Sequence, residues 1–577
     1  MQGMIKMFRY LKDYIPQSII GPLFKFIEAC FELAVPIVVS KIIDVGIRTG
    51  DTGYVLKMGG ILVLFGVFGL LFSITAQFFA AQASMGMGKA LRADLFRHIN
   101  SLSFKELDSA GTTTLITRLT NDVNQVQSGI NLVLRLLLRS PFILLGAVVM
   151  SFTVSAKLGV IFVITVPILA LVVYVIMSRL LPKYKNVQKN LDKLSVTARE
   201  NLQGSRVIRA FSGQERERER FAAETEALCV SQTKAGSLSA LLNPMTLVIV
   251  NLAIIAIIYG GAKATFFGEL TQGDVVALVN YMTQILTALL AFADLIIMYT
   301  KASASASRIN DIFDYKPSME SGNGAAPDLS SSAVSFDNVS FAYDSEPVLE
   351  NISFSIQKGQ TLGIIGGTGS GKSTLASLVY RAYDANSGEI TLFGNDIKNY
   401  SDPELRKLVS VVPQHAVLFA GTVRENLQWR NSAASDDELL SALDIAQAGD
   451  MVSSQADFLD KTITKNGRNL SGGQRQRLTI ARALVGNPEI LILDDSASAL
   501  DYATDAKLRK ALKTLENTTK IIISQRVYAV KDADLILVLD DGKIAGAGKH
   551  DALIKSCPVY AEICSTQLDP GGADDEK

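Results

Sequence analysis

Six stretches of the chain are each long and apolar enough to cross a membrane: near Ile15 to Val39, Gly59 to Phe79, Gly129 to Val154, Leu158 to Leu181, Leu241 to Tyr259 and Val275 to Tyr299. A helix needs about 20 residues, at about 1.5 Å rise each, to traverse a hydrocarbon core of about 30 Å. In lipid the backbone polar groups must be satisfied internally, so six such runs predict an all-α transmembrane half of six helices. The composition agrees, with 48% hydrophobic and 19% charged residues among 577 and a mean hydropathy of +0.26. Basic and acidic residues number 56 each, which leaves no surplus charge to attract nucleic acid. The four cysteines, Cys30, Cys229, Cys557 and Cys564, show no CxxC spacing and read as free thiols.

Two long polar segments, Gln82 to Ser128 and Pro182 to Ser239, separate spans two and three and spans four and five. The second is rich in basic residues (Lys183, Lys185, Lys189, Lys193, Arg199, Arg206, Arg209), which places it, and with it both termini, on the cytoplasmic side. Both keep helical periodicity, so the spans are expected to continue as cytoplasmic helices with short turns at Ser109 to Thr112 and near Gly204. The start, MQGMIKMFRYLKDY, lacks the order of a cleaved signal peptide and reads as an amphipathic elbow on the inner membrane surface. These features divide the chain into a transmembrane domain over 1–315, a Pro/Gly/Ser-rich linker over 316–333, an α/β domain over 334–568 and a flexible tail over 569–577.

The α/β domain carries Gly366-Gly367-Thr368-Gly369-Ser370-Gly371-Lys372-Ser373 between a strand, TLGIIG, and a helical run that Thr374 continues. This is the GxxxxGK[ST] phosphate loop in its confirming context. Its glycines let backbone N–H groups and a helix N-terminus face the phosphates of ATP. Lys372 is suited to neutralise β and γ oxygens, and the Ser373 hydroxyl to reach Mg²⁺. Downstream, EILILDD reads as a buried strand whose Asp494 arrives at the C-terminal sheet edge as a further Mg²⁺ ligand.

Leu470-Ser471-Gly472-Gly473-Gln474, within NLSGGQRQRLTIARAL, resembles the signature motif of ABC ATPases. Gln414 in VVPQHAVLF and Ser498-Ala499-Leu500-Asp501 extend the resemblance in family order. The stretches TTLITRLTNDVNQV, ENLQGSRVIRAF and ASASASRINDIF are similar to the intracellular loops and last-helix extension of six-span ABC exporters, so the likeness covers nearly the whole chain. It implies a multi-pass cell-membrane protein with its ATPase domain in the cytoplasm, P-loop folded, and paired with a second half-transporter. Each ATP would lie between the phosphate loop of one subunit and the signature of the other. Tyr343 would stack on adenine, Gln414 would contact Mg²⁺ and the attacking water, and Asp501 would sit in the inter-subunit loop.

Three positions depart from the family pattern. Asp495 stands where a catalytic Glu is usual, and the lost methylene withdraws the carboxylate by about an ångström, a displacement that can cost about a hundredfold in rate. Gln525, in IIISQR, stands where a switch histidine contacts the γ-phosphate, and a carboxamide cannot carry a proton as imidazole does. Lys465 replaces a Glu ahead of the signature, with no assigned consequence. The paired losses resemble the degenerate-site subunit of a heterodimeric ABC multidrug exporter, whose paralogous partner supplies Glu and His. A slow homodimer and a regulatory or channel-like subunit are the other readings. The resemblance implies outward transport of small amphipathic molecules or lipids. Lys25, Glu28, Glu32, Arg135, Arg139, Asn280, Gln284 and Asp294 lie at membrane depth, where such groups either line a cavity or fix helix packing.

Overall fold

The structure, a computed structural model, describes residues 2–344, 346–453 and 457–568. The tail expected over 569–577 lies outside the described residues. The chain divides into two units, Met1–Asn100 with Gly111–Tyr315, and Ser101–Ala110 with Lys316–Lys577.

The first unit is helical throughout. Its longest helices, Thr52–Asn100, Ala156–Gln203 and Gln272–Phe313, hold 49, 48 and 42 residues. They therefore run well beyond the roughly 20 residues a bilayer requires, as the periodic polar segments predicted. The third and fifth spans are each built from two helices, Val123–Leu136 with Arg139–Val154 and Gln214–Ala240 with Leu242–Phe266. Among the described residues, five helices meet both the length and the composition of a membrane crossing. The remaining span, Ile15–Lys41, is long enough at 27 residues but carries Lys25, Glu28 and Glu32. Its charges are matched inside the bundle. Lys25 Nζ lies 2.6 Å from Glu28 Oε2 and 3.0 Å from Ser73 Oγ, and Glu32 Oε2 accepts from Arg139 Nη2 at 2.8 Å.

Lipid accounts for the outer surface. The most apolar window of the Thr52–Asn100 helix is 0% buried, and its Val63, Leu64, Leu70, Leu71 and Ile74 are all more than half exposed. A continuous apolar face of that size is at odds with water and at home in hydrocarbon. Inside, Phe162, Ile257, Tyr281, Met282 and Ile285 are fully buried, and the Tyr281 hydroxyl donates to the Leu33 carbonyl at 2.9 Å. The fully buried Asp122 is bonded by Arg118 at 2.8 Å and by Arg308, tying the third span to the sixth. The N-terminal elbow is a helix over Gln2–Met7 continued by a 3₁₀ turn over Phe8–Tyr14. Its Met4, Met7 and Leu11 turn inward while Ile5 stays exposed.

The second unit is α/β. A four-stranded sheet has the order β2-β1-β4-β5, with β1 Val334–Ala342, β2 Pro347–Ile356, β4 Ser387–Leu392 and β5 Asn395–Asp396. A six-stranded sheet has the order β12-β11-β3-β10-β9-β6, with β3 Thr361–Gly366, β6 Val409–Val412, β9 Ile490–Asp494, β10 Thr519–Ile523, β11 Leu535–Asp540 and β12 Lys543–Gly548. A short pair joins β7 Gly421–Thr422 to β8 Thr462–Ile463. Strands β6, β9, β10, β3 and β11 run parallel. β3 and β9 are buried on both faces, hence the continuous Leu/Ile run of β9 and the Leu-Gly-Ile-Ile of β3. The segment Ser101–Ala110 also belongs here. Asp108 Oδ2 accepts from the Tyr383 hydroxyl at 2.5 Å, and Ser103 Oγ accepts from Met319 N at 3.2 Å. Helix Phe104–Ala110 ends at Gly111, whose φ of +73° makes the turn predicted at that tip.

With the exposed Cys30 and Cys229 replaced, single cysteines at Thr112 and at Gly204 should react with an impermeant maleimide only in inside-out vesicles. Labelling in intact cells would contradict six spans with cytoplasmic tips.

Candidate functional site

Parallel pairing collects the site. Ile523 on β10 pairs with Ile364 on β3 and with Asp494 on β9, and Val412 on β6 pairs with Leu493. The C-terminal ends of four strands therefore lie side by side. They carry, in spatial order, Gln414, Asp494 with Asp495, Gln525, and the loop from Gly366 to Lys372. This is the sheet edge where parallel α/β folds hold ligands.

The phosphate loop leaves β3 and enters the helix Lys372–Val379. Gly369 and Gly371 have φ of +85° and +93°, and a Cβ on Gly371 would stand 2.7 Å from Leu349 Cδ2, so glycine is required there. Gly367, Thr368, Gly369 and Ser373 are exposed, whereas Ser370, Lys372 and Thr374 are buried. Lys372 folds back over the loop. Its ammonium donates to the Gly366 carbonyl at 3.0 Å, to the Gly367 carbonyl, and to Ser370 Oγ at 3.2 Å. Burial lowers the pKa of this ammonium, opposed by the charges of Asp494 and Asp495. Phosphate oxygens offer it stronger, charge-assisted partners than these neutral carbonyls.

The Ser373 hydroxyl donates to Asp494 Oδ1 at 3.2 Å, so two hard oxygen ligands face each other at the loop mouth. That donor set fits Mg²⁺, which takes oxygen ligands and shares them with substrate phosphates. Burial pushes the Asp494 carboxyl up, and the Ser373 hydrogen bond and Lys372 hold it down. When bound, the ion supplies charge neutralisation at the β and γ oxygens. Gln414 is exposed two residues beyond β6 and is the third candidate ligand.

Asp495 sits at φ +42°, a left-handed conformation that a short polar side chain tolerates. Its N–H donates to the Ile523 carbonyl at 2.9 Å, which fixes its backbone against β10. Gln525 is exposed two residues beyond β10, at the same edge. None of the three histidines stands in for it. His98 bonds the Ile312 carbonyl at 3.0 Å, His550 bonds the Tyr560 hydroxyl at 2.8 Å, and His415 is exposed beside Gln414.

Three neighbours escaped the sequence reading. Arg526, next to Gln525, donates to the Tyr528 hydroxyl at 2.6 Å and stands over the rings of Tyr502 and Tyr528. Burial raises the Asp495 carboxyl, and the Arg526 charge works against that rise. Gln567, on the helix Pro558–Leu568, accepts from Val527 N at 2.9 Å and donates to the Gln525 carbonyl at 2.8 Å. Tyr383 meets Tyr343 edge-on at 5.1 Å, and Phe341 does so at 4.9 Å. Tyr343 is 42% exposed and its hydroxyl lies 3.2 Å from Thr374 Oγ1, so an open aromatic face stands beside the phosphate-loop helix. Of these neighbours only Arg526 had a local signal, its adjacency to the switch position.

The signature lies elsewhere in the unit. Ser471 caps the helix Gly472–Leu484 in a capping box, with Gln474 N donating to Ser471 Oγ at 3.2 Å and Ser471 N to Gln474 Oε1 at 2.9 Å. Leu470 is buried beneath it. Ser471 and Gly472 are exposed, and a Cβ on Gly472 would meet nothing within 4 Å. Gly473 lies against the Ala499 carbonyl, 3.3 Å from where its Cβ would stand. That contact brings the signature helix to the loop of Asp501. Asp501 caps Tyr502–Lys513, its carboxyl held below the usual range by the backbone N–H and hydroxyl of Thr504. Among the described residues no hydrogen bond joins the signature to the phosphate loop of the same chain. Lys465 is exposed in the turn before it.

Replacing Lys372 with Ala removes the one ammonium in the loop and should weaken binding of a fluorescent Mg-ATP analogue at least about tenfold. Unchanged binding would remove Gly366–Thr374 as the nucleotide site.

Known proteins share these features. Residues 18–289 match the ABC transporter transmembrane region, and residues 349–498 match the ABC transporter family. An uncharacterized ABC transporter ATP-binding protein of Bacillus subtilis is 35% identical over 99% of this chain and 100% of its own length. The ATP-dependent lipid A-core flippase of Escherichia coli is 31% identical over 88% of this chain and 87% of its own. Among solved structures, a bacterial Atm1-family ABC exporter with ATP bound superposes with a TM-score of 0.81 at 25% identity, covering 98% of this chain and 100% of the other.

Proposed function

Since this chain belongs to the ABC transporters, as an exporter with an N-terminal transmembrane domain and a C-terminal ATPase domain, we propose that it is the degenerate-site half of a heterodimeric pump for small amphipathic molecules or lipids. The observation that carries this reading is the placement of Asp495 and Gln525 at the ends of adjacent strands, on the one edge where a γ-phosphate would lie. The backbone of Asp495 is pinned to β10, so its carboxylate cannot recover the missing methylene by moving the chain. An amide at the neighbouring strand end offers hydrogen bonds and no proton transfer. ATP and Mg²⁺ are then held by an intact loop, with Gly366 to Thr374, Asp494 and Gln414 around them and Tyr343 on the base, and are turned over slowly.

The signature, Leu470 to Gln474, in which Ser471 and Gly472 are exposed, supports a complementary role toward a partner. Ser471, the helix N-terminus and the open space above Gly472 form an exposed surface to which backbone N–H groups and a hydroxyl are available. Facing the nucleotide of a paralogue that retains Glu and His, it would add donors where charge develops in the transition state. Asp501, on the loop touching Gly473, lies next to that surface. The lipid A-core flippase relative supports an amphipathic cargo.

In complex with its partner, Gly472→Asp should reduce total ATPase activity about a hundredfold and leave assembly intact, because the site has room for the side chain. Asp495→Ala should change that activity by less than about twofold. Equal losses, or a larger loss for Asp495→Ala, would place the working site in this chain. Asp495→Glu combined with Gln525→His should raise hydrolysis at this chain's own site above either single change, since both act on one phosphate. A double variant no faster than the parent would mean that neither residue limits the site.

A further inference from the structure

A single loop, from Asp495 to Asp501, joins the edge that holds this chain's own nucleotide to the signature. Its first residue is bonded to β10 through Asp495 N, and its last caps the helix Tyr502–Lys513. In between, the Ala499 carbonyl lies 3.3 Å from where a Cβ of Gly473 would stand. Ser498 and Ala499 are exposed, and a cavity of about 30 Å³, lined by Asp495, Ser496, Ala497, Asp505 and Arg509, lies against the first half of the loop. Residues that line a void lose packing contacts on that side, so the loop depends on what holds its ends.

The far end is held by an aromatic clasp. Tyr502 begins its helix and is 74% exposed, yet its ring lies 5.7 Å from that of Tyr528, and the Arg526 guanidinium stands 5.8 Å from its centre. The same guanidinium donates to the Tyr528 hydroxyl at 2.6 Å. From the other side Arg509 stands 5.1 Å from the centre of the Tyr528 ring, donates to the Tyr528 carbonyl at 2.7 Å and pairs with the buried Asp505 at 3.3 Å. Two cations and two rings thus bind the helix Tyr502–Lys513 to the segment after β10. That segment is itself anchored, because Arg526 N donates to Ser524 Oγ at 3.1 Å and Ser524 N to the Ile364 carbonyl of β3 at 3.1 Å.

A planar, weakly hydrated guanidinium suits such a contact, since it stacks on aromatic faces and keeps directed donors. So exposed a ring adds little apolar burial to the fold. What the contact fixes is the start of the helix, and with it Asp501. We propose that Arg526 and Tyr502 are positioning residues whose clasp holds the Asp501 loop, and the signature against it, in register with the switch position Gln525. Gln525 and Arg526 share a peptide bond, so a displacement of the switch position on nucleotide binding is passed to the guanidinium. The face offered to the partner's nucleotide is then set from the edge that holds this chain's own ATP. The inference rests on the heterodimer reading above and gives the slow site a task within it.

The test measures ATPase turnover of the assembled complex. Tyr502→Leu should lower kcat about two- to fivefold, the range of an exposed cation–π contact, with KM for ATP unchanged. Tyr502→Phe keeps the ring and should restore the parent rate. Lys372→Ala, at ATP concentrations that leave its loop empty, should slow the partner's site in the parent and no further in Tyr502→Leu, because both changes cut one connection. Should Tyr502→Leu fail to assemble, Arg526→Gln removes the cation from the other side of the contact and is read in the same way. An unchanged kcat, losses that multiply, or a Phe variant no better than Leu overturns the clasp. Gly472→Asp is measured alongside. Activity that survives it overturns the heterodimer reading and the clasp's role together, whereas activity lost with Gly472→Asp but indifferent to Tyr502→Leu overturns the clasp alone.

Discussion

The parallel hydrogen bonding of β3, β10 and β9 is the constraint on which the chemistry of this protein depends. Two bonds carry the ladder past the strands themselves, Ser524 N to the Ile364 carbonyl at 3.1 Å and Asp495 N to the Ile523 carbonyl at 2.9 Å. The loops that leave this edge therefore start from fixed positions. Since side chains alternate along a strand, a register slip of one residue would turn Asp494 away from Ser373. With the backbone anchored, the reach of each side chain at this edge is set by its own length.

The membrane half answers a different demand with the same means. Charge is matched between Lys25 and Glu28 on one helix, between Glu32 and Arg139 on two, and between Asp122 and both Arg118 and Arg308. Unpaired burial of any of these would cost several kcal/mol. The apolar exterior, exemplified by Leu70 and Ile74, does the opposite work of excluding polar contact altogether.

Much of this was legible in the sequence because the signals are local. A run of some 20 apolar residues, a glycine-rich turn between strand and helix, and Ser471 three residues before Gln474 each state their own geometry. The tip at Gly111 was legible for the same reason. What escaped the sequence was contact across distance. Arg526 over Tyr502, Tyr383 against Tyr343, and the membership of Ser101–Ala110 in the second unit depend on which elements meet, and no periodicity encodes that. The first span shows both sides of this. Its three charges disguise it by composition; Lys25 and Glu28 pair locally, three residues apart, whereas Glu32 is matched by Arg139, far along the chain.

The side chain of Gln567 gives one bond to the loop after β10 and takes another from it, at the Gln525 carbonyl and the Val527 amide. A single hydrogen bond transmits only a pull along its own line. Two, side by side and of opposite polarity, also resist twisting, so the Pro558–Leu568 helix and the switch loop are coupled in torque. Any rotation of that terminal helix about its axis is a lever on the orientation of the Gln525 peptide.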